Sequence, residues 1–139
     1  MKASRFPREY IGFELETQKF LNAQELLARG VTLTGEGLPF FSAQPFDFVL
    51  LWFSGQLAHD NTKIYEGDIC EMDVRSEFGS FIKKRAMMQW YPKTNQFILM
   101  MGSPIGDQFF EVANVKVIGH EFTDPELVAE LKKAGQANG

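Results

Sequence analysis

Hydrophobic positions in the middle of the chain recur with a period close to two, which is the period of a β-strand. The pattern predicts strands over residues 46–53, 64–74, 81–91, 96–101 and 115–122. Gly67 is expected to kink or bulge the second strand, and residues 92–95 to join the third and fourth strands as a hairpin. Short strands separated by turn residues predict a mainly β fold, either a small barrel or a sandwich.

Capping residues predict a short helix before the strands. Asn22 and Glu25 have the spacing of a capping box, which places the helix over residues 23–29. A helix of about two turns is marginal in isolation. We therefore expect Leu26 and Leu27 to hold it by packing against the rest of the protein.

A second helix is predicted after the last strand. Asp124 can cap it, Pro125 suits its first position, and Gly135 is expected to end it. Its apolar residues fall on one stripe and are Leu127, Val128, Leu131 and Ala134. This stripe should pack the helix against the β domain as a C-terminal cap.

Length and composition indicate one globular domain. The chain has 139 residues, 45% of them hydrophobic and 14 of them Phe, so it can bury a substantial core. We divide it into an N-terminal extension over residues 1–45 packed on the same domain, a β domain with its helix over 46–134, and a frayed tail over 135–139. Cys70 is the only cysteine, so a reducing cytoplasm is the expected location. No apolar run is long enough to cross a membrane.

Two blocks of sequence resemble the YopX-like family of phage and prophage proteins. The block over residues 53–69 ends in Lys-Ile-Tyr-Glu-Gly-Asp-Ile, and the block over 117–127 reads Val-Ile-Gly-His-Glu-Phe-Thr-Asp-Pro-Glu-Leu. His120 stands where the family usually has Asn. The two blocks frame residues 46–128. The resemblance implies an SH3-like β-barrel in the C-terminal part, but the family has no assigned function and a fold alone supplies none.

The sharpest motif is the segment Tyr65, Glu66, Gly67, Asp68 and Ile69. In a structural interpretation Gly67 permits a bend that a Cβ atom would forbid, and Asp68 accepts backbone N–H groups there. In a functional interpretation Glu66 and Asp68 share a strand face and form a carboxylate pair for metal-dependent or acid–base chemistry. Since no third ligand lies nearby in the sequence, we favour the structural interpretation.

A metal or nucleophilic site would have to be assembled from distant residues. His59 and His120 are the only histidines, and zinc would need both of them together with Cys70 or a carboxylate such as Asp60. Their spacing matches no zinc motif, and Cys70 alternates with apolar residues on the predicted core face. We therefore predict no metal, no cofactor and no catalytic residue.

One basic region interrupts an otherwise acidic chain. Residues 75–93 carry five cations against the carboxylate of Glu77, with aromatic residues between them, while the whole chain has a net charge of −4. Small barrels hold single-stranded nucleic acids by phosphate contacts and base stacking. The candidate nucleic-acid contacts are Lys83, Lys84, Arg85 and Trp90.

The alternative interpretation of the basic region is a solvated strand face. Alternation then exposes Lys83 and Arg85 to water and turns Ile82, Met88 and Trp90 inward. Lysines on strands also prevent edge-to-edge pairing. We favour this alternative because the acidic chain disfavours binding to polyanions.

Methionines on both arms of the predicted hairpin, followed by two phenylalanines, suggest a third kind of surface. Core filling is one explanation, and an adaptable or self-associating surface is the other. The candidate interaction face is Met87, Met100, Met101, Phe109 and Phe110.

These observations lead to three hypotheses of function. The first is a non-enzymatic binding module that engages a protein partner, or a second copy of itself, through the hairpin over residues 81–101. The second is a nucleic-acid-binding small barrel that uses the strand over residues 81–91. The third is an enzyme that uses Glu66 and Asp68.

Overall fold

The computed structural model describes residues 10–28, 31–33, 39–41 and 48–138. The predicted N-terminal extension and the first residues of the strand predicted over 46–53 therefore lie partly outside the described residues. Within the described ranges, no helix combines the length and the apolar character that crossing a membrane requires.

The described residues form strands and helices in the order of the chain. They are β1 (Tyr10–Glu14), β2 (Lys19–Leu21), α1 (Ala23–Ala28), β3 (Val31–Leu33), β4 (Pro39–Phe41), β5 (Phe48–Leu57), β6 (Lys63–Tyr65), β7 (Asp68–Arg75), β8 (Ile82–Tyr91), β9 (Gln96–Met100), a 3-10 helix (Ile105–Asp107), β10 (Glu111–His120) and α2 (Pro125–Asn138). The predicted mainly β fold with a C-terminal helix is confirmed.

Two four-stranded antiparallel sheets make up the body of the protein. The first has the strand order β2-β1-β5-β6 and the second the order β10-β7-β8-β9, while β3 and β4 pair as a separate hairpin. One of the two sheets curls into a half-barrel. The β8–β9 hairpin forms as predicted, and Asn95 takes the left-handed conformation in its turn, with φ +53°.

The main core is built mostly from the second sheet. Cys70, Met72 and Val74 alternate along β7 and are buried, as the period of two predicts. The core cluster contains Ala58, Ile64, Cys70, Met72, Val74, Ala86, Met88, Leu99, Met101 and Ile105. Because Ile64 belongs to β6, the first sheet also contributes to this core.

The chain from Tyr10 to Leu21 completes the first sheet. Strand β1 pairs with β5 from Tyr10 opposite Trp52 to Glu14 opposite Phe48. The sequence pattern does not predict β1 or β2, because each is short and neither alternates cleanly between apolar and polar residues. Their pairing with β5 ties the N-terminal part to the predicted β domain.

Helix α1 begins with the predicted capping box. The Asn22 side-chain oxygen accepts the Glu25 N–H at 2.9 Å, and the Glu25 carboxylate accepts the Asn22 N–H at 3.1 Å. Leu26 is fully buried, but Leu27 is 60% exposed. The expectation that both leucines pack is therefore wrong for Leu27, because consecutive helical residues point about 100° apart.

The strand predicted over residues 64–74 is two strands rather than one kinked strand. Strand β6 pairs with β5 in the first sheet, whereas β7 pairs with β8 and β10 in the second. Glu66 and Gly67 form the corner at which the chain passes between the sheets. A period of two continues across such a corner, so the pattern alone did not reveal the change of sheet.

Two predicted boundaries also need correction. The last strand begins at Glu111 rather than Val115, and it continues past an irregularity at which Asn114 has φ +56°. Helix α2 runs to Asn138 and does not end at Gly135. A glycine inside a helix costs about 1 kcal/mol relative to alanine, which disfavours the helix without forbidding it.

The contrast between the two leucines of α1 yields a stability prediction. We expect Leu26→Ala to lower the free energy of unfolding by about 2–5 kcal/mol, because it leaves a cavity at a fully buried position. Leu27→Ala is the matched control and should change it by less than about 0.5 kcal/mol. Urea denaturation followed by tryptophan fluorescence measures both. Equal losses for the two variants would show that α1 does not pack as described.

Candidate functional site

The corner at Glu66 and Gly67 is held by backbone hydrogen bonds from several strands. The Glu66 N–H donates to the Trp52 carbonyl of β5 at 2.8 Å, and the Gly67 N–H donates to the Met88 carbonyl of β8 at 2.8 Å. The Gly67 carbonyl in turn accepts the Glu121 N–H at 3.0 Å. The corner is thereby fixed to β5, to β8 and to the segment after β10.

Asp68 closes the corner from the other side. Its Oδ2 accepts the Tyr65 N–H at 2.7 Å, as the structural interpretation of the motif predicts. Burial raises the pKa of the Asp68 carboxyl, and the hydrogen bond from Tyr65 opposes that shift. The Asp68 carboxylate therefore stabilises this turn by accepting a backbone N–H group.

His120, at the end of β10, fills the inside of the corner. Its Nδ1 accepts the Phe122 N–H at 3.1 Å, so this nitrogen carries no proton. The other nitrogen, Nε2, lies 2.9 Å from the Glu66 carbonyl oxygen and therefore donates to it. His120 is 3% exposed, and both of its ring nitrogens are hydrogen-bonded to backbone groups.

Gly67 and His120 are matched in shape. Gly67 has φ +87°, and a Cβ atom there would lie 2.6 Å from His120 Nε2. Position 67 requires glycine for two reasons. Its backbone is left-handed, and the imidazole occupies the space that a Cβ atom would need.

Aromatic rings connect His120 to the N-terminal strands. The imidazole lies 5.1 Å from the ring of Phe20 and 5.1 Å from that of Phe122, between ring centroids. Phe13 of β1 contacts both phenylalanines, at 5.1 Å from Phe20 and 5.0 Å from Phe122. This cluster joins the first sheet to the end of the second.

Asp124 continues the same network into α2. Its Oδ2 accepts the His120 N–H at 2.9 Å and the Thr123 hydroxyl at 2.8 Å. The hydrogen bond from the His120 backbone lowers the pKa of the Asp124 carboxyl, with a further contribution from Thr123. Asp124 precedes Pro125 at the start of α2, as predicted.

The predicted metal candidates are not brought together. His59 is exposed in the loop after β5, whereas His120 is buried at the corner. Burial raises the pKa of the Cys70 thiol to about 12. Among the residues that the structure describes, no group of three His, Cys, Asp or Glu side chains is placed to hold a metal ion.

Two of the open depressions on the described surface are lined by residues that the sequence singles out. One, of about 340 Å³, is lined by Glu66, Gly67, Met88, Gln89, Trp90 and Glu121. Burial and the charge of Glu121 raise the pKa of Glu66 there. The other, of about 360 Å³, is lined by Glu71, Lys83, Lys84, Arg85, Met101, Glu130 and Leu131.

The basic region is largely neutralised by carboxylates on the same sheet face. Lys83 Nζ lies 3.1 Å from Asp73, and Arg85 lies 3.3 Å from Glu71 and 2.9 Å from Glu130 of α2. Two of the three predicted nucleic-acid cations are thus already in ion pairs.

Arg75 extends these ion pairs to the end of β7. Its guanidinium is 2.7 Å from the Glu111 carboxylate of β10. We call the pairs Glu71–Arg85, Asp73–Lys83 and Arg75–Glu111 the charge ladder. The ladder accounts for three of the five cations in residues 75–93.

Trp90 does not share a face with Lys83 and Arg85. Register places Lys84 opposite Met72 of the core face, and alternation puts Trp90 on the same side of β8 as Lys84. These two residues are about 20 Å apart along the strand at roughly 3.3 Å per residue. The expectation that Ile82 and Trp90 point inward holds only in part, since they are 49% and 47% exposed.

The predicted methionine face is largely interior. Met87 and Met101 are buried, and Met101 belongs to the main core, against which Phe109 also packs. Met100 pairs with Met87 across β8 and β9 and is half-buried. Met101 fills the main core, and Met87 is buried without belonging to that cluster. An interaction face at these residues stays a prediction. Of the five candidates, Phe110 is the exposed one.

Four exposed apolar residues lie at the Arg75 end of the second sheet, in the turn after β7, at the start of β8 and just before β10. Phe78 is 95% exposed, Phe110 64%, Ile82 49% and Phe81 48%. We call these four residues the hairpin-tip patch. The period of two does not reveal this patch, although Phe78 between Glu77 and Gly79 in a polar turn is a recognisable signal.

Arg75 lies within the hairpin-tip patch. Its guanidinium carbon is 5.6 Å from the centre of the Phe81 ring and 5.2 Å from that of Phe110, within the range of cation–π contacts. The ion pair with Glu111 neutralises the same guanidinium. Arg75 thus orders the two rings without adding net charge to the surface.

The Gly67–His120 contact predicts a large cost for adding one methyl group. We expect Gly67→Ala to lower the free energy of unfolding by about 2–5 kcal/mol, combining left-handed backbone strain with overpacking. Gly55 has φ +85° but open space around its Cβ position, so Gly55→Ala should cost only the strain, about 1–2 kcal/mol. Thermal and urea denaturation of both variants provide the comparison. Equal costs would show that His120 does not occupy the space above Gly67.

The two aspartates of the corner should respond to pH in opposite directions. The folded-state pKa of Asp68 is raised, so the wild-type protein loses stability as pH rises from 3.8 through that pKa. Asp68→Asn should therefore become more stable relative to wild type as pH rises from 3.5 to 7.

Asp124→Asn serves as the comparison. The folded-state pKa of Asp124 is lowered, so its contribution is present above pH 3.8 and is lost as pH falls through the folded pKa. Asp124→Asn should be destabilised most at pH 7 and least at low pH. Urea denaturation at a series of pH values measures both slopes. Slopes of the same sign would contradict the assigned environments.

Comparison with known proteins identifies the family. The family model described as YopX protein matches residues 9–129, which extend from the start of β1 into α2. A search of curated proteins returns no match. The match includes the Gly67–His120 corner and the charge ladder. It also includes β1 and β2, which lie before the two sequence blocks that resemble the family. The chain belongs to the YopX protein family.

Proposed function

We propose that this protein is a non-catalytic binding module that engages another polypeptide through the hairpin-tip patch. The observation that carries the proposal is the exposure of Phe78, Phe81, Ile82 and Phe110 at one end of the second sheet. Large apolar side chains grouped on a surface are typical of protein-binding sites. Aromatic residues and arginine are also the residue types enriched at the energetic centres of interfaces.

The position of the patch supports a role in binding rather than in folding. It lies at the Arg75 end of β7, whereas the corner lies at the Asp68 end, about 23 Å away at roughly 3.3 Å per residue. Phe78 is almost fully exposed, so its side chain adds little to the stability of the isolated chain. An aromatic side chain at such a position would gain contacts when a partner covers it.

The corner residues support the non-catalytic part of the proposal. Asp68 accepts the Tyr65 N–H, and both ring nitrogens of His120 are engaged with backbone groups. The Asp68 oxygen and the two His120 nitrogens are therefore hydrogen-bonded to the protein backbone and are not directed at a substrate. The Glu66 carbonyl is part of the same network.

The charge ladder favours a protein partner over a nucleic acid. A phosphate backbone would have to displace Asp73 from Lys83, and Glu71 and Glu130 from Arg85. The chain also carries a net charge of −4, which opposes long-range attraction of a polyanion. Family membership is consistent with a phage-type protein, and the single buried Cys70 suits a reducing cytoplasm.

A capture experiment with matched variants tests this function. Immobilised wild-type protein should retain polypeptides from a nuclease-treated bacterial lysate, and each retained polypeptide is then purified and its affinity measured. We expect Phe78→Ser combined with Phe110→Ser to weaken that affinity by about tenfold or more. Leu27→Ser, which removes an exposed leucine outside the patch, should leave it unchanged.

The nucleic-acid alternative is tested with the same protein. Fluorescence anisotropy with single-stranded DNA and RNA at 50 and 200 mM salt should show no binding that depends on Lys83 and Arg85. Two results together would replace the proposed function with nucleic-acid binding. The first is salt-sensitive binding of DNA or RNA that is abolished in the double variant Lys83→Ala with Arg85→Ala. The second is protein capture that stays unchanged in the Phe78→Ser, Phe110→Ser variant.

A further inference from the structure

We infer that His120 is an acid-sensitive latch, which holds the start of α2 at the corner and releases it when the imidazole is protonated. The latch goes beyond the proposed function, because it concerns the movement of one helix and not the polypeptide that the hairpin-tip patch engages. Imidazole is the side chain that ordinarily gains its charge between about pH 8 and 5.

The latch depends on one nitrogen of the ring. Nδ1 of His120 accepts the Phe122 N–H at 3.1 Å, and an imidazole nitrogen accepts a hydrogen bond only while it carries no proton. Protonation turns Nδ1 into a donor that faces a second donor. The Phe122 N–H must then move away, so the segment between β10 and α2 cannot keep the arrangement described above.

The other nitrogen fixes the ring in place. Nε2 lies 2.9 Å from the Glu66 carbonyl oxygen, to which it donates in both protonation states. The ring also fills the space above Gly67, where a Cβ atom would lie 2.6 Å from Nε2. Protonation therefore acts on the side of the ring that faces Phe122, and the two sheets keep their connection at the corner.

Carboxylates around the ring allow a charged imidazole to exist inside the fold. His120 is 3% exposed, and a buried charge without a compensating group is costly. Glu66, Asp68 and Asp124 each interact electrostatically with the imidazole. Their negative charge favours protonation, whereas the hydrogen bond from the Phe122 N–H opposes it. These opposed effects give the segment two arrangements, one for each protonation state of the ring.

The remaining described neighbours of the ring are uncharged or acidic. Phe20 of β2 and Phe122 face the imidazole, each at 5.1 Å between ring centroids. Lys19 precedes Phe20 in β2, and alternation directs it to the opposite face of the strand. Glu121 follows His120 directly and adds a further carboxylate at the corner. Among the described residues that contact the ring, the charged groups are therefore carboxylates.

Helix α2 is attached through the same segment. Asp124 accepts the His120 N–H at 2.9 Å, and its own N–H donates to the His120 carbonyl at 2.9 Å. Because Asp124 immediately precedes α2, a displacement of Phe122 is passed to the first turn of the helix. The ion pair between Glu130 and Arg85 is a second attachment further along α2. The release is therefore local to the start of the helix.

Hydrogen exchange of the wild-type protein at pH 7.5 and pH 5.0 tests the latch. Protection factors, which correct for the intrinsic exchange rate at each pH, should fall about tenfold at pH 5.0 over residues 121–127. A factor of this size corresponds to the loss of about one hydrogen bond. The amides of β7 and β8 should keep their protection. Unchanged protection over residues 121–127, or an equal fall in β7 and β8, contradicts the latch.

The variant His120→Asn identifies the titrating group. Its side-chain oxygen can accept the Phe122 N–H, and its amide does not titrate, so the fall in protection at pH 5.0 should disappear. His59→Asn removes the exposed histidine and should behave as wild type. Burial raises the pKa of both Glu66 and Asp68, so these carboxyls are the competing triggers. A fall that persists in His120→Asn and disappears in Glu66→Gln or Asp68→Asn overturns the latch.

NMR of the wild-type protein decides the matter if His120→Asn does not fold. The ring resonances of His120 and the amide proton of Phe122 are followed from pH 8 to pH 5. Both should change with one midpoint, and the amide proton should move upfield as its hydrogen bond is lost. A ring that titrates while the Phe122 amide stays unchanged, or that does not titrate above pH 5, overturns the latch. Neither result bears on the hairpin-tip patch, so the proposed function is judged separately by polypeptide capture.

Discussion

The contact between His120 and Gly67 is the constraint around which the described part of the molecule is arranged. At this point the chain passes from β6 of the first sheet to β7 of the second. The imidazole occupies the volume that a side chain at position 67 would need, and it donates to the Glu66 carbonyl while accepting from the Phe122 N–H. One buried ring therefore satisfies backbone groups that would otherwise lack partners inside the protein.

The same ring determines what lies around it. Phe20 and Phe122 pack against it, and Phe13 packs against both, so β1 and β2 are joined to the end of β10. Asp124 accepts the His120 N–H and starts α2 one residue later. The two sheets, the N-terminal strands and the C-terminal helix thus meet at one corner. The glycine is needed there because only a residue without a Cβ leaves room for the imidazole.

The opposite end of the second sheet has a different character. The charge ladder runs along one face of β7 and β8 and ends at Arg75, whose guanidinium contacts the rings of Phe81 and Phe110. Cations that look like a nucleic-acid surface in the sequence are paired with carboxylates in the fold. The surface left open at this end is apolar, and it is the surface for which we propose a polypeptide partner.

Local patterns determined the parts of the fold that depend on residues close in sequence. The capping box of α1, the alternation of Cys70 with its neighbours on β7, and the left-handed backbone of Gly67 all follow from backbone geometry over a few residues. Tertiary structure decided the rest. The partners of Arg75, Arg85 and His120 lie 36, 45 and 54 residues away. Strand register brings Arg75 and His120 to their partners, and the packing of α2 brings Glu130 to Arg85. Strand pairing also places Met87 inside, because β7 and β9 flank it on both sides, whereas Phe78 lies in the turn between β7 and β8 and is left in water.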